Sequence, residues 1–376
     1  MPFDTYDEVR GYANVIRNVT QDKAMPPSFA LPEAGRVRED LSLSPEEIST
    51  ITAWANAKAP AGNAAEAASS SGSREAFRPE VVVKPTKATP IHSPDGDYLY
   101  EIAQTHFKGN RWVQSAEFFT GQPKDLRQAV VFIRPRGSSW LRYAPAGTPF
   151  AATKLAKGEP NDPTQRDILV VYAAGSAPAT WPASMAKLIP SGADLIFRLQ
   201  YVPGINVEAD QSGVRLTLRK HRPPLRVMTL ELKKTNISIP WETSDYRVEA
   251  RATLALDAVL LGFFPDMHQL GTRFEYGITD EVDNNKNGLC AGHEVLLRVN
   301  FDLRWQSSYT LAEPCILKAG TTLQAVAWYD NSASNPRNPN PGVPVYLGDN
   351  YGDEASVGFF DVAVPASLPR GKLLIH

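Results

Sequence analysis

The chain changes texture once. Up to about residue 60 its apolar residues recur at helical spacing. Val9, Tyr12, Val15, Ile16 and Val19 form one stripe, which predicts a helix over Tyr6 to Val19. A break at Met25-Pro26-Pro27 follows, and then SPEEISTITAWANAKAP. That segment has Ser44 as cap, Pro45 at the first helical position and Glu47 at the third, the marks of a helix start. Ile48, Ile51 and Trp54 are its predicted buried stripe. Residues 61–78, rich in Ala, Ser and Gly, read as a flexible linker. From residue 79 the period shortens to that of strands. VVVKP, AVVFIRP, DILVVYA, DLIFRLQYVP and GVRLTLRK are short β-rich runs closed by Gly, Pro or Asp. HRPPLR at 221–226 punctuates them, and RVMTLELKK, RVEARATLAL, LQAVAWYDNS and VGFFDVAV resume the pattern. The predicted fold is mainly β: two β-sandwiches in tandem after a short helical segment. The predicted boundaries are 1–60, 61–78, 79–222 and 223–376.

Composition narrows the function classes. The chain has 376 residues, 43% hydrophobic and 21% charged, with a net charge of −2. That is globular, and it lacks the basic field that nucleic acid or an anionic membrane would demand. No run approaches the roughly 20 apolar residues of a membrane helix. No apolar leader stands at the N-terminus. A Gly-rich phosphate loop, G-x-S-x-G and H-E-x-x-H are all absent from the sequence.

One further segment carries a metal pattern. In DNNKNGLCAGHE (283–294), Asp283, Asn285 and Asn287 fall at positions 1, 3 and 5. Leu289 offers a carbonyl, Gly288 the turn, and Glu294 a bidentate carboxylate at position 12. Hard oxygens at this spacing suit Ca²⁺. The same composition also makes an Asn/Gly-rich hairpin loop.

Several segments resemble the bacterial relatives of the copper type II, ascorbate-dependent monooxygenases of the peptidylglycine α-hydroxylating type. They are FFPDMHQLGTRFEY (263–276), NFDLRWQSSYTLAEP (300–314), LQAVAWYDNSASNPRNPNP (323–341) and GDEASVGFFDVAV (352–364). TGQPKDLRQAVVFI (120–133) and IPSGADLIFRLQYVPG (189–204) match more weakly. The resemblance implies two jelly-roll-like β-sandwiches side by side with one copper in each. Its ligand positions are mostly substituted. The first copper's three positions hold Arg127, Gln128 and Gln200. The second copper's hold Asp266, His268 and Ala355. Copper prefers imidazole or sulfur, so only His268 remains suited, and Asp266 with His268 makes at most a residual divalent site.

Residues 1–60 resemble the C-terminal half of a c-type cytochrome, as precedes the sandwiches in such proteins. The C-x-x-C-H attachment motif is missing. Met25, at the place of the distal haem ligand, is therefore expected to pack rather than to ligate. The expected cofactors are thus neither copper nor haem c, with calcium the open candidate.

The reading from the resemblance is a ligand-stripped, non-catalytic scaffold. It would be periplasmic or extracellular, a binding or accessory subunit with a protein partner such as a cytochrome or redox assembly. The alternatives are a metal monooxygenase working from His268 and Asp266, and a fragment of a cytochrome–monooxygenase fusion. Export would make Cys290 and Cys315 a disulfide; in a cytosolic chain they would be two thiols.

The calcium loop is checked by melting the protein in millimolar Ca²⁺ and in chelator, then repeating on Glu294→Gln. With a dissociation constant on the order of 10⁻⁴–10⁻³ M, Ca²⁺ raises the melting temperature of the parent only. Equal temperatures in all conditions would make the segment an ordinary hairpin loop.

Overall fold

The computed structural model describes residues 5–26, 30, 37–38, 42–63, 78–93, 98–151, 167–173, 176–234, 237–278, 295–303, 305–348, 353–368 and 373–375. The chain divides into two compact units, residues 1–30 with 39–77, and residues 31–38 with 78–376.

The first unit holds α1 (Tyr6–Gly11), α2 (Ala13–Gln21) and α3 (Pro45–Asn56). α1 and α3 start with capping boxes, Thr5 with Glu8 and Ser44 with Glu47. The single helix predicted over Tyr6 to Val19 is broken at Tyr12, whose ψ of 9° leaves the helical region. Its core consists of Ala13, Ala55 and Ala59, with Trp54 packed against them. Ile48 and Ile51 are only half-buried, contrary to the predicted stripe, because small alanines bring α2 and α3 together. Met25, expected to pack, is 38% exposed. Val37 and Arg38 fall with the β unit and not with the helices. Val37 pairs with Leu311 and the Arg38 N–H donates to the Thr310 carbonyl at 2.8 Å, which covers part of a sheet edge. Of the predicted linker, residues 64–77 lie outside the described residues.

In the second unit the strands begin with β1 (Val81–Val83), β2 (Thr89–Ser93), β3 (Tyr98–Gln104), β4 (Arg111–Phe119), β5 (Leu126–Arg134) and β6 (Phe150–Ala151). Next come β7 (Asp167–Ala173), β8 (Ala179–Thr180), β9 (Met185–Ile189), β10 (Asp194–Tyr201), β11 (Ile205–Asp210) and β12 (Gly213–Arg219). The C-terminal half has β13 (Leu225–Lys233), β14 (Ser238–Ile239), β15 (Tyr246–Leu254), β16 (Ala258–Asp266), β17 (Gly271–Ile278) and β18 (Val295–Asn300). It ends with β19 (Tyr309–Leu317), β20 (Thr322–Tyr329), β21 (Val345–Tyr346), β22 (Val357–Pro365) and β23 (Leu374–Ile375).

Two sandwiches result. The first packs β6-β3-β10-β5-β7 on β1-β12-β4-β9; the second packs β18-β17-β20-β15-β23 on β13-β22-β16-β19. They are fused. β9 and β13 pair in parallel through Leu225–Met185 and Arg226–Ala186, so β1-β12-β4-β9-β13-β22-β16-β19 is one continuous sheet.

Side-chain parity explains the fusion. Successive strand residues face opposite ways. On β5, Ala129, Val131 and Ile133 join Val113, Ala116, Val214 and Leu216 in the first sandwich core. Their neighbours Val130 and Phe132 join Phe264, Val357 and Phe359 of the second sandwich. β3 and β10 divide in the same way, with Ala103, Leu195, Phe197 and Leu199 inward and Tyr100, Ile102 and Ile196 outward. The five-stranded sheet is therefore apolar on both faces, and the long sheet lines both. A strand buried on both faces reads as a nearly unbroken apolar run, as AVVFI does.

Two buried cations pin the place where the long sheet passes the edge strand β7. Arg226 on β13 meets Asp167 on β7 at 2.7 Å, both buried. Lys187 on β9 donates to the Ile168 carbonyl at 2.9 Å and lies 3.4 Å from Asp361 of β22. Removing one partner of such a pair strands a buried charge, at about 3–5 kcal/mol. Arg226→Ala should lower stability by about that amount, and calorimetry of the parent should show both sandwiches melting in one transition. Two separated transitions would show that the seam does not couple them.

Candidate functional site

Four of the six positions that the resemblance assigns to two separate copper centres, Gln128, Gln200, Asp266 and His268, meet at the junction of the two sandwiches. From the first come Tyr98 on β3, Gln128 on β5, and Arg198 and Gln200 on β10. Gln200 stands opposite both Gln128 and Tyr98 in the ladder, so these side chains leave one face of the sheet. From the second come Asp266 at the end of β16, His268 just beyond it, Gln306, and Glu354 ahead of β22. All are buried except Arg198, whose side chain is 11% exposed.

Direct hydrogen bonds cross the junction. Gln128 Nε2 donates to Asp266 Oδ1 at 2.8 Å and to Gln306 Oε1 at 3.1 Å. Arg198 Nη2 lies 3.5 Å from Asp266 Oδ2, and its guanidinium sits 4.5 Å from the centre of the Tyr98 ring. His268 Nδ1 is 2.7 Å from the Asp353 carbonyl, which can only accept, so Nδ1 carries the proton. On a neutral ring Nε2 then accepts from the Tyr98 hydroxyl, 3.0 Å away. Glu354 holds the turn that carries His268: its carboxylate accepts from the backbone N–H of His268 at 2.9 Å and of Leu270 at 2.7 Å.

The electrostatics follow from burial. Desolvation raises the Glu354 carboxyl to about 7, against the lowering effect of His268 and of the two backbone donors. For Arg198, desolvation opposes the charge. Tyr98, Tyr100, Asp266 and Glu231 outweigh it, and the guanidinium pKa is pushed up. Burial also drives the Tyr276 and Tyr329 hydroxyls well above their ordinary range.

Other predicted residues lie elsewhere. Arg127 is half-buried, and it is the extra residue of a bulge, since Gln128 faces Gln200 while Leu126 faces Tyr201. Ala355 is buried, and its carbonyl accepts from the Tyr329 hydroxyl at 2.6 Å. Cys315 is buried and disulfide-bonded. The chain's other cysteine, Cys290, lies outside the described residues, as do Asp283, Asn285, Asn287, Leu289 and Glu294 of the calcium pattern. Among the described residues no group of three or more His, Cys, Asp or Glu is placed to hold a metal ion. None of the described helices is long and apolar enough to cross a membrane. The sequence reading missed Tyr98, Arg198 and Gln306. Arg198 left a signal, a lone cation inside the apolar run DLIFRLQYV.

No family model and no curated protein matches this chain. Among solved structures, that of the infectious bursal disease virus Gx strain is similar over 79% of this chain and 77% of its own, at 9% identity and a TM-score of 0.21. The VP2 subviral particle of infectious bursal disease virus covers 79% and 75%, at 8% identity and a TM-score of 0.22. PNGF-II covers 77% and 64%, at 12% identity and a TM-score of 0.30. Likenesses this loose decide nothing about the chemistry.

A second polar cluster lies within the first sandwich. Asp210 accepts from Gly121 N at 2.8 Å, Tyr201 Oη at 2.5 Å and Ser212 Oγ at 2.9 Å. Glu101 is also buried, and its Oε1 has no protein partner. Burial first, and then the charge of Asp210, raise the Glu101 carboxyl to about 7 from an ordinary 4.5. The folded state thus favours the protonated acid. Its contribution to stability is full below about pH 4.5 and is lost as pH rises through about 7. The melting temperature should fall by a few degrees between about pH 4.5 and pH 7, and Glu101→Gln should reduce that fall, leaving the part that Glu354 contributes. The same slope in parent and variant would mean that Glu101 does not carry the effect.

Proposed function

We propose that this chain is a ligand-stripped two-sandwich scaffold of the copper-monooxygenase type, working as an exported binding or accessory subunit. Its partner would be a protein of an electron-transfer or membrane-associated assembly. The observation that carries the reading is the closed junction. Gln128, in a place the resemblance gives to a copper ligand, spends its amide N–H groups on Asp266 and Gln306. Asp266, in a place given to the other copper, has its charge set against Arg198. His268 is engaged through both ring nitrogens, so ligation through Nε2 would require breaking the Tyr98 bond.

The chemistry of the donor set supports the same conclusion. Arg127, Gln128, Gln200 and Asp266 stand where a Cu(I)/Cu(II) cycle would use imidazole, and Ala355 where it would use a thioether. A buried, disulfide-bonded Cys315 supports an oxidising compartment, where such bridges persist. Retention of a packed, hydrogen-bonded junction after loss of the ligands supports a fold still in use.

The experiment is elemental analysis of the purified chain after dialysis against copper, with an assay for ascorbate-dependent hydroxylation of a glycine-extended peptide. Far less than one copper per chain and no hydroxylation are expected. Stoichiometric copper would overturn the scaffold reading in favour of an enzyme.

A further inference from the structure

The direct bonds at the junction leave a residue of unmet hydrogen-bonding capacity. Gln128 Oε1, Gln200 Oε1, Asp266 Oδ2 and the Nε and Nη2 of Arg198 are all buried and have no hydrogen-bond partner in the protein. These atoms are neighbours. Gln128 Oε1 belongs to the amide whose nitrogen is 2.8 Å from Asp266 Oδ1. Asp266 Oδ2 is 3.5 Å from Arg198 Nη2. Gln200 faces Gln128 across the ladder and follows Arg198 by two residues, on the same face.

Three acceptors and two donors converge in one small buried region. Leaving them all unmet would cost about 1–3 kcal/mol for each group, an implausible load for one junction. The set also selects its ligand. A metal cation would satisfy the three oxygens but would sit against the Arg198 guanidinium. An anion would suit Arg198 but would meet Asp266 and two amide oxygens. A neutral molecule that both donates and accepts suits all five atoms.

We infer that the junction is a built site for one or two ordered water molecules, bridging Gln128, Gln200 and Asp266 of the two sandwiches to Arg198. Buried waters typically make about three hydrogen bonds to groups of this kind. Bound there, the water completes the lock between the sandwiches where the direct bonds stop.

Two measurements on the full chain test it. The first is a high-resolution crystal structure of the unmodified protein. Water-sized density is expected within hydrogen-bond distance of Arg198 Nε or Nη2 and of at least two of the three oxygens. Side chains closed directly on one another without such density, or density too large for water, would overturn the inference. The second is the sign of a melting shift. Gln200→Met keeps the length and removes the amide. If Gln200 Oε1 is bonded to water, the variant melts lower, by roughly 2–4 °C. If Oε1 has no partner, removing a buried unpaired amide leaves the temperature unchanged or raises it, which would overturn the inference. Should the variant fail to fold, the density in the parent decides alone.

Discussion

Everything in the β unit depends on one sheet having two apolar faces. β3, β10 and β5 carry large apolar side chains at both odd and even positions, so neither face can be left to water. An ordinary sandwich covers one face of each of its sheets. Here the second face of the central sheet is covered by β16 and β22 of the other sandwich, through Phe264, Val357 and Phe359. Each large side chain so buried contributes roughly 1.5–3 kcal/mol. The continuous sheet through β9 and β13 delivers that cover. The seam chemistry, Arg226 with Asp167 and Lys187 with the β7 backbone, sits where the long sheet passes from one face to the other.

The junction chemistry is a consequence of this burial. Tyr98, Gln128, Arg198 and Gln200 stand on the same outward face as the apolar residues that meet the second sandwich. Side chains at the rim of a buried interface must find partners, and Asp266, Gln306 and His268 provide them. A buried pair such as Arg198 and Asp266 contributes little net stability, because desolvation offsets attraction. Its effect is on specificity: mismatched docking of the two sandwiches would leave a buried charge alone. The arrangement closes the junction with direct hydrogen bonds from Gln128 to Asp266 and Gln306.

The resemblance located several of the junction residues, and it described them as remnants of two separate sites. Gln128, Gln200, Asp266 and His268 were reachable as positions in motifs. That they touch was not, because Gln128 and Asp266 are separated by 138 residues and their contact depends on how two sheets stack. Tyr98 belongs to none of the quoted motifs, and Gln306, inside NFDLRWQSSYTLAEP, stands at no ligand position, so both enter through packing. The predicted helix over Tyr6 to Val19 shows the complementary case. Its apolar stripe was legible, and the break at Tyr12 was not, since nothing at that position forbids a helix.

What the sequence determined by itself is local. Period-two runs bounded by Gly and Pro set the strands, and Ser44-Pro45 with Glu47 set the start of α3, because these preferences act over one turn or a few residues. The unbroken apolar character of AVVFI already required cover on both faces of its strand. Which strands would supply the cover was decided only in the tertiary structure. The parallel pairing of β9 with β13, the bridging of Val37 to Leu311 on β19, and the meeting of Gln128 with Asp266 all join segments remote in the chain. Such contacts form only after both partners are already held in sheets, and no short-range pattern records them.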